Sequence, residues 1–320
     1  MSPSANDSMS PTSEAILFPG QGAQFPGMGK AWAEAFPAAR GIFEQADEAL
    51  GFSLSEAAFR EEGDDIHRTD LAQPAILTTS VAILSVLIER GLDPARASLT
   101  AGLSLGEYTA LWCAGSLDFV DAVRLVRLRG EAMQAASEAT PSSMTSLMGA
   151  TLESAEALAA VGAEHGICSV ANRNGPGQIV LSGELAALDA VEAQAKAHGI
   201  KRAVRLTVAG GFHSECMRPA ADRLAAALTE VEVRAPRIPF LSNVTGAPVD
   251  DPAAIKEALA QQVCAPVLWE ISMRHALSEG VDRFLEPGPG AVLAGLMRRI
   301  AKDSGTQVEV RNVEQPEDLA

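Results

Sequence analysis

Cysteine is scarce in this 320-residue chain, and its four copies lie far apart. Cys113, Cys168, Cys216 and Cys264 form no C-x-x-C and no Cys/His cluster, so neither a zinc site nor a disulfide framework is suggested. Buried thiols in a reducing compartment fit the pattern, and a cytoplasmic location is expected. Positive charge is also in short supply: 25 Lys and Arg face 41 Asp and Glu, a net charge of −16. Phosphate-rich partners would be repelled, so neither nucleic acid nor an anionic membrane is expected as a partner. Aromatic residues are sparse, leaving Ala, Val and Leu to build the core. No run reads as the ~20 apolar residues of a membrane span. Residues 1–14 lack the apolar stretch of a secretory signal and the arginines of a transit peptide, and read as a disordered lead. Residues 314–320 read as a flexible tail. The length suffices for one large domain, or one domain carrying a smaller insertion.

What is present centres on Gly102-Leu103-Ser104-Leu105-Gly106, a G-x-S-x-G pentapeptide. A mostly apolar run at 97–101 precedes it, and a helix-compatible run at 105–114 follows, closed by Gly115. That strand–turn–helix order is the one in which a sharp turn exposes a nucleophilic serine. A serine capping an ordinary helix is the alternative reading.

Upstream, Ala15-Ile16-Leu17-Phe18 reads as a buried strand entering the loop Pro19-Gly20-Gln21-Gly22-Ala23-Gln24. A dinucleotide fingerprint would need glycine where Phe25 stands. A phosphate-binding P-loop would need Ser or Thr where Ala31 stands. The remaining reading is a loop whose backbone N–H groups near Gln21 face an oxyanion. Residues 71–90 form a long apolar helix with Asp70 as its expected N-cap. On the next helix, 117–137, projection at 100° per residue puts Arg129 on the apolar stripe with Leu125, Val126 and Met133. A buried guanidinium needs a partner. That partner is either a carboxylate inside the fold or a substrate carboxylate gripped bidentately.

From 141 to 208 the elements run strand-helix-strand-strand-helix-strand, the order of a ferredoxin-like unit. Elsewhere strands alternate with helices, which predicts a parallel α/β sheet over 15–140 and 209–313. Among five histidines, His165 and His198 precede helix-ending glycines, His275 is mid-helix and His67 sits in a polar loop. His213, in a glycine-rich segment leaving a strand, is the expected base for Ser104. No acid stands out to orient it, so a backbone carbonyl or side-chain amide is expected instead. Leu105 N–H and the Gln21 loop are the expected oxyanion donors.

Taken together, F-P-G-Q-G at 18–22, G-L-S-L-G-E-Y at 102–108, V-R-L-R-G-E-A-M-Q at 126–134, G-F-H-S at 211–214 and E-P-G-P-G at 286–290 resemble the malonyl-CoA:acyl carrier protein transacylase family. The resemblance spans residues 15–312. It implies an α/β-hydrolase-like core with an inserted ferredoxin-like subdomain, a serine nucleophile and ping-pong acyl transfer, without a metal or other cofactor. Malonyl-CoA would be the donor and acyl carrier protein the acceptor, in fatty acid synthesis. Ser104 and His213 would be catalytic, Gln21 and Leu105 would form the oxyanion hole, and Arg129 would hold the malonyl carboxylate. Gln262 would orient His213 through its backbone carbonyl. Two positions depart from the usual pattern: Leu103 stands where histidine is common, and Gly211 where alanine is. Phe212 resembles malonyl-selective members; its ring leaves little room for an α-branched acyl group, worth about 1–2 kcal/mol. Lys201 and Arg202 match the place where the family meets coenzyme A phosphates. With Arg205, or Arg298 and Arg299, they are also candidates for meeting the acidic carrier protein, against the alternative of solvated surface charges. A monomer is expected. The rival functions are an acyl-thioester hydrolase, a non-enzymatic interaction module, and a malonyltransferase serving a polyketide carrier.

Overall fold

The computed structural model describes residues 13–319. Strand β1 (Glu14–Phe18) is followed by helices α1 (Lys30–Ala35), α2 (Pro37–Leu50), α3 (Leu54–Phe59) and α4 (Thr69–Glu89). Next come β2 (Leu99–Gly102), α5 (Gly106–Cys113) and α6 (Phe119–Ala139). The middle stretch holds β3 (Ser142–Met148), α7 (Leu152–Ala163), β4 (Cys168–Gly175), β5 (Gln178–Glu184), α8 (Leu185–Gln194) and β6 (Arg202–Arg205). The chain ends with α9 (Arg218–Thr229), β7 (Phe240–Leu241), α10 (Pro252–Gln262), α11 (Trp269–Ser278), β8 (Arg283–Pro287), α12 (Val292–Asp303) and β9 (Glu309–Val313).

Two sheets result. The larger runs β7-β2-β1-β8-β9 with every pair parallel. Its central strand shows why: Ile16 and Phe18 enter one apolar cluster, and Ala15 and Leu17 enter the other. A strand apolar on both faces needs helices on both sides, as parallel sheets have. The smaller sheet runs β4-β5-β3-β6, all antiparallel, over its own apolar cluster with α7 and α8. This is the expected α/β core with a ferredoxin-like sheet inserted in the chain.

Helix α4 corrects two expectations. By length and composition it is apolar enough to cross a membrane, and it is the one such helix among the described residues. It lies almost wholly inside the fold, packed on the main core. Asp70 is not its N-cap; the helix starts at Thr69, and the Asp70 carboxylate pairs with Arg68 at 3.1 Å and Arg127 at 3.2 Å. Pro74 lacks the N–H that would bond the Asp70 carbonyl, and Arg127 Nη1 donates to that oxygen at 2.7 Å instead.

The segment after β9 is also held in place. Pro316–Leu319 forms a 3₁₀ turn, and the Asp318 carboxylate accepts the N–H groups of Glu314 and Gln315. Trp32 Nε1 donates to Glu314 O at 2.7 Å, and Leu319 packs on the core. The expected flexible tail is therefore corrected over 314–319. Of the expected disordered lead, residues 1–12 lie outside the described residues; Ser13 bonds Asp282, and Glu14 opens β1.

Candidate active site

Ser104 sits at the C-terminal edge of the large sheet, in the turn from β2 to α5, with φ of 51°. A non-glycine residue rarely adopts this left-handed backbone, and such turns persist only when their surroundings fix them. The glycines explain the tightness. A Cβ on Gly102 would lie 1.9 Å from the Gly106 carbonyl carbon, and one on Gly106 would lie 2.2 Å from Phe18 O. A Cβ on Gly20 would lie 2.3 Å from Leu103 O, so the Gln21 loop rests directly on the serine turn. We expect Gly106→Ala to destabilise the protein by about 3 kcal/mol through overpacking against rigid backbone, measured as a fall in denaturation midpoint. A midpoint equal to that of the unaltered protein would mean the turn relaxes freely.

Asn243, which follows β7 closely in the chain, clamps this turn. Its Oδ1 accepts Ser104 N–H at 2.6 Å, and its Nδ2 donates to Gly102 O at 2.7 Å. Leu103, where histidine was the expected family residue, packs against the second apolar cluster, and its N–H donates to Phe18 O at 3.0 Å.

His213 Nε2 lies 2.8 Å from Ser104 Oγ, and His213 Nδ1 lies 2.7 Å from Gln262 O. A carbonyl only accepts, so Nδ1 carries the proton and Nε2 presents its lone pair to the serine hydroxyl. The ring is 4% exposed, and its backbone, like that of Ser104, has positive φ, at 59°. Burial, reinforced by the Arg129 charge, lowers the imidazole pKa to about 4. The ring is thus neutral at pH 7 and competent as a base. Protonation removes the lone pair, so the acidic limb of kcat/KM for acylation should lie near pH 4. A pH–rate profile checks this; a limb near 6.5 would show an imidazole in an ordinary solvated setting.

Arg129 is 1% exposed and makes no ion pair within the salt-bridge distance among the described residues. Its Nη1 donates to Gln73 Oε1 at 2.7 Å; its Nη2 donates to Gln262 Oε1 and to Ser104 Oγ, each at 3.0 Å. Among the described residues its Nε meets no group in good hydrogen-bond geometry, and the guanidinium sits 5.9 Å from the centre of the Tyr108 ring, with which it interacts. Burial pulls the guanidinium pKa down, opposed by the polar and acidic side chains around it. An internal ion pair was one of two readings of this residue; among the described residues no carboxylate lies within ion-pair distance, and Glu107 acts on it only as a nearby charge.

Glu107, in the first turn of α5, is fully buried. Its carboxylate accepts the N–H of Asn243 and Nε2 of Gln262. Burial pushes its pKa up to about 8, against the pull of those donors and of Arg129. Gln262 Nε2 also donates to Ser104 O at 2.9 Å. The Gln21 side chain donates to Thr69 Oγ1 at 3.2 Å, tying its loop to the start of α4. Among the described residues, the backbone N–H groups of Gln21 and Leu105 donate to no protein group.

Thus Ser104, His213, Arg129 and Gln262 are brought together in one hydrogen-bonded cluster, with the Gln21 loop against its turn. Phe212 is buried in the main apolar cluster beside His213. Gly211 N–H donates to Ser142 Oγ at 2.8 Å, and a Cβ there would come within 3.0 Å of Ser142 Cβ, which suits glycine in this chain. Lys201 and Arg202 are exposed at the start of β6 and make no hydrogen bond to the cluster. Arg205 is drawn away from any patch by Asp189 at 2.8 Å and Glu192 at 2.7 Å. Arg298 and Arg299 bond Val310 O and Gln178 Oε1 respectively. Sequence reasoning missed Gln73, Glu107 and Asn243.

Residues 16–315 match the acyl transferase domain model. The chain belongs to the acyl transferase family. A curated member from Bacillus subtilis, a malonyl CoA-acyl carrier protein transacylase, is 43% identical over 287 residues, covering 89% of this chain and 90% of that protein. The crystal structure of an acyl-carrier-protein S-malonyltransferase from Bartonella henselae superposes with a TM-score of 0.91 at 41% identity, covering 96% of each chain. A malonyl-transacylase solved in complex with its type II PKS acyl-carrier protein superposes with a TM-score of 0.91 at 38% identity, covering 96% of this chain and 98% of that one.

Proposed function

We propose that this enzyme moves a malonyl group from malonyl-CoA to the phosphopantetheine thiol of an acyl carrier protein, through an ester on Ser104. The observation that carries the reading is the buried Arg129 guanidinium, bonded to the oxygen of the nucleophile and, among the described residues, within ion-pair distance of no carboxylate. A cation so placed suits an acyl group that ends in a carboxylate.

In the first half-reaction Ser104 Oγ attacks the thioester carbonyl while its proton passes to His213 Nε2. The carbonyl oxygen becomes an oxyanion between the N–H groups of Gln21 and Leu105. The C–S bond breaks, and the leaving coenzyme A thiolate takes the proton from His213. In the second half-reaction the carrier thiol gives its proton to His213 and attacks the ester. The C–O bond to Ser104 breaks, and Oγ recovers the proton. Every proton and electron pair is accounted for by serine, histidine and the two thiols, so the route invokes no cofactor. Gln262 keeps His213 in the required tautomer through its carbonyl. Phe212 narrows the room for branched acyl groups, and Lys201 and Arg202 meet the phosphates of coenzyme A or the carrier protein. We read residues 141–208 as the inserted unit and 15–140 with 209–313 as the catalytic core.

Fatty acid synthesis is the setting this reading favours; transfer to a polyketide carrier is the same chemistry on a different acceptor. A hydrolase for uncharged acyl chains has no use for Arg129. The test is a panel of malonyl-, acetyl- and methylmalonyl-CoA with holo carrier protein present or absent, reading acyl carrier and free acid separately. Malonyl transfer should dominate. Free acid as the main product, with carrier present, would make the enzyme a hydrolase.

A further inference from the structure

The hydrogen-bond pattern around α5 points to a role for a residue outside the reacting set. We infer that Glu107 is a positioning residue whose carboxylate joins the two segments that align the nucleophile, the base and the cation.

One carboxylate oxygen accepts Asn243 N–H and the other accepts Gln262 Nε2, residues 136 and 155 positions further along the chain. Each of these partners makes the decisive contacts of the site. Asn243 holds the Ser104 turn through Ser104 N–H and Gly102 O. Gln262 receives Arg129 Nη2 on its side-chain oxygen and His213 Nδ1–H on its main-chain oxygen. The amide of Gln262 lies between an acceptor and a donor. With Glu107 taking its N–H and Arg129 donating to its oxygen, only one orientation of that amide satisfies both neighbours. Glu107, together with Ser104 O, therefore fixes which face Gln262 turns to Arg129. Asn243 N–H, Gln262 Nε2 and the Ser242 side chain all bond the carboxylate and favour its ionised form, as does the Arg129 charge, against the burial that pushes its pKa up. Its place in the first turn of α5 adds the favourable end of the helix dipole.

This inference builds on the transfer reading, and its test separates the two. Glu107→Gln keeps the shape but sets an NH2 group against a donor, so one of the two contacts is lost. Two readouts follow. Labelling of Ser104 by a fluorophosphonate needs the serine, its base and the oxyanion donors, but no acyl-CoA. The ratio of malonyl to acetyl transfer needs Arg129 held in place. We expect Glu107→Gln to slow labelling about tenfold to a hundredfold, the scale of one unsatisfied buried polar group, and to lower the malonyl:acetyl ratio. Gln262→Ala should lower the ratio in the same direction. The double variant should lose less than the product of the two single losses, because both act through one contact.

Unchanged labelling and ratio in folded Glu107→Gln would overturn the inference, as would strictly multiplicative losses or a lowered melting temperature with both readouts intact. If Glu107→Gln fails to fold, Gln262→Ala decides: a preserved malonyl:acetyl ratio overturns the inference, a lowered one supports it. An unaltered enzyme that labels at Ser104 but transfers no malonyl overturns the function instead. The labelling comparison then still judges Glu107.

Discussion

Ser104→Ala leaves no covalent malonyl-enzyme and lowers transfer by about 10⁴- to 10⁶-fold, the range seen when a serine nucleophile is removed from a hydrolase-type site. The geometry makes this a clean experiment. The contacts that hold the turn run through the backbone of residue 104, from its N–H to Asn243 and from Gln262 Nε2 to its carbonyl. Alanine keeps them, and it bears a positive φ no worse than serine does. Only the oxygen shared by His213 and Arg129 disappears. Intact mass after incubation with malonyl-CoA should show the malonyl increment in the unaltered protein and none in the variant. A persistent increment in the variant would place the ester on another residue and sink the mechanism.

Arg129→Ala should reduce malonyl transfer by about 30- to 5,000-fold, corresponding to the 2–5 kcal/mol for truncating one partner of a buried charge pair. Acetyl transfer, with no carboxylate to hold, should fall by much less. The residual loss on acetyl measures what Arg129 contributes by donating to Gln262 Oε1, Gln73 Oε1 and Ser104 Oγ. A second signature accompanies it. The Arg129 charge disfavours the imidazolium of His213, so removing it raises the histidine pKa. The acidic limb of acetyl transfer should then move up from about pH 4 towards the ordinary histidine range. Equal loss for malonyl and acetyl, with the limb unmoved, would make Arg129 a structural residue only. Lysine is not expected to restore malonyl transfer, because a point charge cannot reach three acceptors in the plane of a guanidinium.

Much of this site was legible in the sequence, for identifiable reasons. Ser104 announces itself because a sharp turn demands glycine two places before and after it. Arg129 stands out because a guanidinium on an apolar helix stripe is costly without a partner. His213 was distinguishable from four other histidines because each of those had a local explanation. Gln262 came only through family resemblance, since a glutamine that acts through its main-chain carbonyl leaves no mark in the pattern. Asn243, Gln73 and Glu107 stayed hidden for a related reason. Their partners lie far away in the chain, and polar residues in a loop, in an apolar helix or beside a nucleophile carry no spacing that reveals a distant contact. The misread ends of elements have the same origin. Asp70 has the type of an N-cap, but Arg68 and Arg127 claim its carboxylate. The acidic stretch after residue 313 looks like a solvated tail, but Trp32 and Asp318 hold it through backbone groups. Composition does not register bonds made to the main chain.

The strand order of the large sheet has a consequence for the protein's birth. The central strand β1 is made well before one of its two neighbours, β8, which lies more than 260 residues further along the chain. Ser104 and the Gln262 that braces it are 158 residues apart. At bacterial or eukaryotic synthesis rates that interval lasts about 10–30 s. Throughout it the nascent chain carries the serine without the glutamine that braces its turn and orients its base. Acquisition of reactivity therefore waits for residue 262, and products truncated before it should be catalytically silent.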